Sequence, residues 1–357
     1  MEQHSDLNTM LQLMPQPAFR VEKGVISHIN QAAAAYFIEV GQDFAPMIFC
    51  GAQEYAEFSS GKLYLTLSLA GQSLGACVSR MESGELVTLE PTEESPQLQT
   101  LALAAGKLKD RLSAVMCITQ QMLPTVATDG SERELQAAQL NQRLYQMMRI
   151  LNNMSDTASY VHAQPSRMET VEICNFLEEI LEKAAVSAQD NGISLAYELP
   201  RERIFTLVNT EKLERAVYNL LSNAIKFAAP ETCVRAKLVC KNKRLYFSVS
   251  NTHPDAGTQG DVFNHFLREP AMEDPRKGVG LGMALVCSTA ALHGGAVLKD
   301  QTENGTRFTM TLQVKNSTDH QVRSPIRLPD YAGEYDHCLL ELADVLPVHL
   351  YKPDQIK

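Results

Sequence analysis

An α+β chain of several modules is predicted: an N-terminal α/β unit, a two-helix hairpin that closes into a dimeric four-helix bundle, and a C-terminal α/β sandwich. Three observations carry this. Residues 1–90 set short apolar runs between turn residues, the pattern of strands around one small helix. Residues 98–164 repeat apolar positions at strict 3,4 spacing in two stretches, the pattern of paired helices. Residues 165–315 contain two amphipathic helices, one of them opened by glycines, and a resemblance carried by their motifs, set out below, implies the sandwich. Residues 91–97 are the linker between the first two modules, and residues 316–357 form a tail.

In the first unit, strands are predicted at Ala18 to Val21 and Val25 to Ile29, joined by the turn Glu22-Lys23-Gly24. A helix follows over Asn30 to Phe37, with further strands near Leu63 to Leu69, Gly75 to Arg80 and Glu85 to Leu89. Pro91 to Pro96 (PTEESP) breaks the pattern before the first long helix. That helix places Leu101, Ala105, Leu108, Leu112, Val115, Thr119 and Met122 on one seam; the second places Ala137, Leu140, Leu144, Met147, Leu151, Met154, Ala158 and Val161. Pro124 to Ser131 (PTVATDGS) is the turn. One hairpin cannot bury both seams, so a second chain is expected to cover them; the alternative is a hairpin packed within its own chain.

The most informative stretches lie further on. Asn209 or Thr210 is positioned to cap a helix whose Leu213, Val217, Leu220, Leu221 and Ala224 form one buried face. Asn219, Asn223 and Lys226 fall at i, i+4, i+7 on the opposite face, two amide oxygens and a cation in one line. Alone, such a line also suits a solvated face. Further along the chain, Gly278, Gly280 and Gly282 open a second amphipathic helix. Glycines let backbone approach a ligand closely, and the exposed N–H groups and positive dipole end favour an anion. The two together suit a metal-bound polyphosphate.

At NLLSNAIKF, VFNHF (Val262 to Phe266), GVGLGMALV and NGTRFTMTL (Asn304 to Leu312), the chain resembles the ATP-binding domain of sensor histidine kinases, of the Bergerat-fold ATPase superfamily. The resemblance covers roughly residues 166–315. It implies ATP and Mg²⁺ as cofactors, with Asn223 on the metal and Lys226 on the phosphates. It further implies Asn219, Asn251, Gly278, Gly280, Leu281, Gly282 and Thr306 around the nucleotide. Superfamily members that hydrolyse ATP carry a glutamate at the position of Asn219; an amide has no basic lone pair of useful pKa and cannot replace it as a base.

Two departures stand out. In FSVSNTHPD, Asn251 occupies the place of an aspartate, exchanging a charge-assisted adenine contact of ~1.5–3 kcal/mol for a neutral one of ~0.5–1.5 kcal/mol. His253 and Asp255 stand where the family has glycines, and any left-handed requirement there costs roughly 1 kcal/mol each. Nucleotide affinity is expected to fall. The second departure is in the hairpin, which resembles the dimerisation and phosphoacceptor domain of the same kinases. Aligning Leu112 with that family's leucine puts Gly106 at the phosphoacceptor position and Lys107 at the acidic one. No histidine lies between His28 and His162, and lysines near pKa 10 are poor phosphoryl acceptors. Autophosphorylation on the usual residue is excluded by composition.

PAFRVEKGVISHINQAA resembles a PAS sensor domain. Such domains bind flavin, haem or small metabolites. Here the PAS ligand stays unassigned, since Cys50 lacks the residue pattern of photoactive flavin sites and His28 reads as a surface strand residue. A net charge of −10 disfavours nucleic acid and acidic membranes as partners, and no apolar run reaches the ~20 residues of a span. The scattered cysteines, without a C-x-x-C pair, fit reduced thiols in the cytoplasm.

The expectation is a histidine-kinase-like signalling protein without its own phosphoacceptor, a pseudokinase acting as a homodimer or as a heterodimer with another histidine kinase, with a response regulator or other signalling protein as partner. The alternative is an ATP-dependent kinase of another protein, as the anti-sigma serine kinases are. The apolar residues Leu339, Leu340, Leu342, Val345 and Leu346 of the tail suit docking either in cis or on a partner.

Overall fold

The computed structural model describes residues 10–81, 84–89, 96–122, 132–159, 167–190, 192–252, 281–302, 305–315 and 335–353. The N-terminal unit begins with a hairpin of β1 (Ala18–Glu22) and β2 (Val25–Ile29). Its two-residue turn, Lys23-Gly24, has φ of 52° and 83°, the left-handed pair whose twist matches that of the strands. Buried Asn30 then organises the start of the unit. Its Oδ1 accepts from Ala18 N (3.0 Å) and Ala33 N (2.9 Å), and its Nδ2 donates to the carbonyls of Met14 (3.1 Å) and Gln16 (2.7 Å). The cap starts α1 (Gln31–Ala34), shorter than the helix expected over 30–37.

Next come β3 (Ile48–Cys50), α2 (Ala52–Glu57), β4 (Lys62–Leu69), β5 (Gln72–Met81) and β6 (Gly84–Leu89). The strands lie in the order β2-β1-β6-β5-β4, with β3 paired to β4. Neither β3 nor α2 is signalled by sequence, since both are too short to show a period.

The hairpin is α3 (Pro96–Met122) and α4 (Glu132–Ser159). Each predicted seam divides in two. Ala105 and Leu112 of α3 and Ala137, Leu144 and Leu151 of α4 are buried, whereas the alternate positions Leu108, Val115, Leu140 and Met147 stand 47–56% exposed. One half of each heptad packs inside the chain and the other half faces outward. His162 lies outside the described residues.

The C-terminal unit runs β7 (Glu169–Glu172), α5 (Ile173–Gln189), β8 (Ser194–Glu198), β9 (Phe205–Val208), α6 (Thr210–Lys226), β10 (Cys233–Lys241), β11 (Arg244–Thr252), α7 (Leu281–Leu292), β12 (Val297–Thr302) and β13 (Gly305–Gln313). Its sheet has the order β12-β13-β11-β10-β8, antiparallel except for the β10–β8 pair. Leu245, Phe247, Val249, Met310 and Leu312 point from it into the core shared with α5, α6 and α7.

The sheet does not stop at β12. Strand β4 pairs with it antiparallel, Tyr64 opposite Val297 and Lys62 opposite Lys299, so that among the described residues both units share one sheet of eleven strands. Each edge strand thus finds backbone partners in the other. Around the joint, Gly51 (φ 95°) lets the chain turn against Leu65 and Ala296, where a Cβ would come within 3.0 Å of both side chains. Glu54 of α2 reaches across, its buried carboxylate bonded to the Arg244 guanidinium and to the Thr311 hydroxyl (2.5 Å).

The tail docks in cis. Asp336 caps α8 (His337–Glu341) through Leu339 N (3.0 Å), and a 3₁₀ turn follows at Val348–Tyr351. Leu340, Leu342, Leu346 and Tyr351 enter the core beside α4, α5 and α6. Val345 and Leu339 pack against it half-buried.

Because the joint buries an ion pair, Glu54→Ala should cost about 3–5 kcal/mol by leaving the Arg244 charge buried without its counter-ion. Urea denaturation should show that Glu54→Ala combined with Arg244→Met recovers most of that loss; a double variant as unstable as the single would contradict the assignment.

Candidate functional site

Helix α6 forms where its sequence requires. Asn209 Oδ1 caps Lys212 N (2.8 Å), Glu211 sits in the first turn and Lys226 in the last, each complementing the helix dipole. Leu213, Val217, Leu220, Leu221 and Ala224 are buried as expected. The opposite face departs from the expectation. Asn219, predicted to project outward, is 2% exposed, because α4 and the tail cover that side of the helix. Helix α6 is therefore buried on two faces.

Helix α7 packs antiparallel along α6. At one end, His293 Nε2 accepts from Asn209 N (3.0 Å), while its Nδ1 bonds the Thr289 carbonyl (2.7 Å). This requires the neutral ring with the proton on Nδ1, and burial lowers its pKa accordingly. At the other end, Gly282 lies directly against Asn219: a Cβ there would overlap Asn219 Oδ1. The glycine implied for close backbone approach thus lets α7 begin on the first asparagine. One turn along, Asn223 Nδ2 meets Met283 Sδ (3.0 Å). That contact occupies the nitrogen of a half-buried amide, leaving its oxygen as the donor suited to a hard cation.

Lys226 ends the helix, half-buried, its Nζ 5.5 Å from the Phe227 ring centroid. Beyond it the chain returns to the sheet, where Ala229 N donates to the Thr252 carbonyl (3.0 Å). There Asn251 and Thr306 are cross-strand neighbours on the core-facing side of β11 and β13. The fold therefore gathers Asn219, Asn223 and Gly282 at the α6–α7 contact and sets Asn251 beside Thr306 at the strand ends. Leu281 opens α7. Gly278, Gly280, His253, Asp255 and Val262 to Phe266 lie outside the described residues.

Arg149, Arg215 and Glu341 complete the surroundings of α6, and sequence reasoning misses all three. Arg149 Nη2 donates to Asn219 Oδ1 (3.2 Å), and Asn219 Nδ2 donates to the Arg215 carbonyl (2.8 Å), so both ends of this amide are engaged within the protein. Arg215 Nε donates to Glu341 Oε1 (2.9 Å) and its Nη2 to Asn153 Oδ1 (2.7 Å). Arg149 bonds Asp344 (2.7 Å) and lies 3.6 Å from Glu341 Oε2. One signal is present in the sequence: Arg215 stands four residues before Asn219, on the same stripe as Asn223 and Lys226. For Arg149 and Glu341, distant in sequence, there is none.

Residues 208–316 match the histidine kinase-, DNA gyrase B- and HSP90-like ATPase family. Among curated relatives, the sensor protein KdpD of Escherichia coli strain K12 is 25% identical over 64% of this chain and 26% of its own length. The sensor protein RstB of the same strain is 25% identical over 67% of this chain and 59% of its own. The chain thus spans less than two thirds of these relatives. Among solved structures, full-length ShkA in complex with AMPPNP is 22% identical, with a TM-score of 0.49 over 61% of this chain and 47% of its own. The ATPase-family match over residues 208–316 and the aligned kinases together support a sensor histidine kinase family with a GHKL-type ATP-binding domain.

Proposed function

We propose that this protein is a dimeric signal-transduction pseudokinase that binds Mg²⁺-ATP weakly and regulates a kinase or response regulator without phosphorylating itself on histidine. The observation that carries this reading is Gly106. With Leu112 aligned on the family's leucine it falls at the phosphoacceptor position, with exposed Lys107 beside it, and no histidine lies on α3 or α4. A Cβ at Gly106 would meet nothing within 4 Å, so packing does not demand the glycine, and mid-helix it costs about 0.5–1 kcal/mol relative to alanine. A residue that stability disfavours and packing does not require fits a lost function better than a structural need.

For the nucleotide, Asn223 would hold Mg²⁺ through its amide oxygen and Lys226 would meet phosphate. Bound Mg²⁺ neutralises phosphate charge. Asn251, without the carboxylate, would make the weaker adenine contact, with Thr306 beside it. Asn219, already engaged by Arg149 and Arg215, is a poor second metal ligand in this arrangement. The N-terminal sheet, in the order β2-β1-β6-β5-β4, supports a PAS-like sensor whose ligand is unassigned. The outward half-seams, Leu108, Val115 and Met122 on α3 with Leu140 and Met147 on α4, support a second hairpin as the dimer partner. The rival reading, a kinase acting on another protein, requires a base near the terminal phosphate, and Asn219 is not one.

Calorimetry should show weak Mg²⁺-dependent ATP binding, abolished in Asn223→Ala; unchanged affinity in that variant would remove the metal assignment. Gly106→His should fold normally, and with radioactive ATP both this variant and the wild-type chain should stay unlabelled, as expected of a site that has itself decayed. Label on the substituted chain alone would show a competent kinase that lacks only its acceptor. In sedimentation, Val115→Glu with Met147→Glu should convert the dimer to monomer with an unchanged circular dichroism spectrum; a wild-type chain that sediments as a monomer would rule out the bundle.

A further inference from the structure

The tail lies beyond the ATPase-family match, yet both neighbouring units hold it. Four side chains of α4 bind its backbone and one carboxylate: Asn141 donates to the Tyr351 carbonyl (3.0 Å), Gln142 to those of Ala343 (3.2 Å) and Leu346 (2.8 Å), Gln146 to Ala343 (3.0 Å), and Arg149 to Asp344. On the ATP-binding side, Arg215 of α6 meets Glu341, Glu214 meets His337 (2.8 Å) and Asp190 meets His349 (3.1 Å). The tail therefore touches both units at once, one through α4 and the other through α5 and α6.

At the centre of this contact is Glu341, 0% exposed. Its carboxylate lies between Arg149 of the hairpin and Arg215 of the ATP-binding domain, both also buried. Two guanidinium groups repel each other strongly in a dry environment unless a counter-charge lies between them. The tail supplies that charge, and the same arrangement presses Arg149 onto Asn219 and α4 onto α7.

We infer that residues 335–353 form an autoinhibitory strap that parks the ATP-binding domain against its own helical hairpin, and that undocking the strap releases α4 from α6 and frees Asn219. It rests on the nucleotide reading only for what the release exposes; the release itself is a mechanical property of the chain. The hold of the strap on α4 combines edge-on packing of Tyr335 and Tyr351 against Tyr145 with the hydrogen bonds from Asn141, Gln142, Gln146 and Arg149, and its solvent-facing end is the Arg149–Asp344 ion pair. Asp344, at 36% exposed, is the end of this network that solvent reaches first.

Hydrogen exchange of the full chain, read by mass spectrometry, tests this without nucleotide. In Glu341→Gln, exchange in residues 141–154 and 336–351 should rise roughly a hundredfold or more, as loss of a buried counter-charge implies, while β10, β11 and β13 keep their protection. Asp344→Asn, at the exposed end, should raise exchange in the same segments by a smaller factor and guards against simple misfolding of the first variant. Unchanged exchange in both variants, or a loss spread evenly through the sheet, would overturn the strap and make the tail part of the folding core. Failure of ATP to bind would be seen separately by calorimetry and would leave this result standing.

Discussion

The carboxylate of Glu341, fully buried between Arg149 and Arg215, is the interaction on which the relation between hairpin and ATP-binding domain depends. Each of these charges alone would be costly to remove from water, and removing one member of such a set destabilises by about 3–5 kcal/mol. Their arrangement explains why α6 is buried on two faces: the apolar face meets the sheet, and the polar face meets arginine, asparagine and a tail carboxylate. The polar stripe of α6 is thus partly satisfied by the protein itself, through Arg149 and the Arg215 carbonyl on Asn219.

A second buried ion pair repeats this logic at the other end of the molecule. Glu54 and Arg244 hold the N-terminal unit to the ATP-binding sheet, while β4 and β12 share backbone hydrogen bonds. The ATP-binding domain is thus held from two directions, by a sheet edge through β12 and by the strap through α6. Between these anchors run α6 and α7, fixed to one another at His293 and at Gly282. A displacement of the N-terminal sheet has a direct route to β12 and β13, and hence to Thr306 beside Asn251, without passing through the linker before α3.

Thiol chemistry plays no part in either anchor. The cysteines are free, and burial pushes the Cys338 thiol in the strap up to about 12, so it stays protonated and behaves as a small apolar group. Among the described residues no group of three or more histidine, cysteine or acidic side chains forms a metal site, and no helix is long and apolar enough to cross a membrane. What holds the parts together is packing and buried charge.

Elements whose signals are local were legible in the order of amino acids alone. The period of Leu213, Val217 and Leu220 marked α6, Asn209 its cap, Lys23-Gly24 the first hairpin, and the 3,4 repeats the two long helices, because spacing and turn chemistry depend on neighbours along the chain. The same signals put the asparagines and the described glycine of the candidate site on the right elements. Three outcomes were settled by long-range packing instead: each heptad seam is half inside and half outside, Asn219 faces Arg149 rather than water, and β4 joins β12. They depend on pairs such as Glu341 with Arg149, or Glu54 with Arg244, whose members are far apart along the chain. Single residues carry no mark of the partner they will meet: a glutamate in an apolar tail looks like a misplaced surface charge until folding brings two arginines to it.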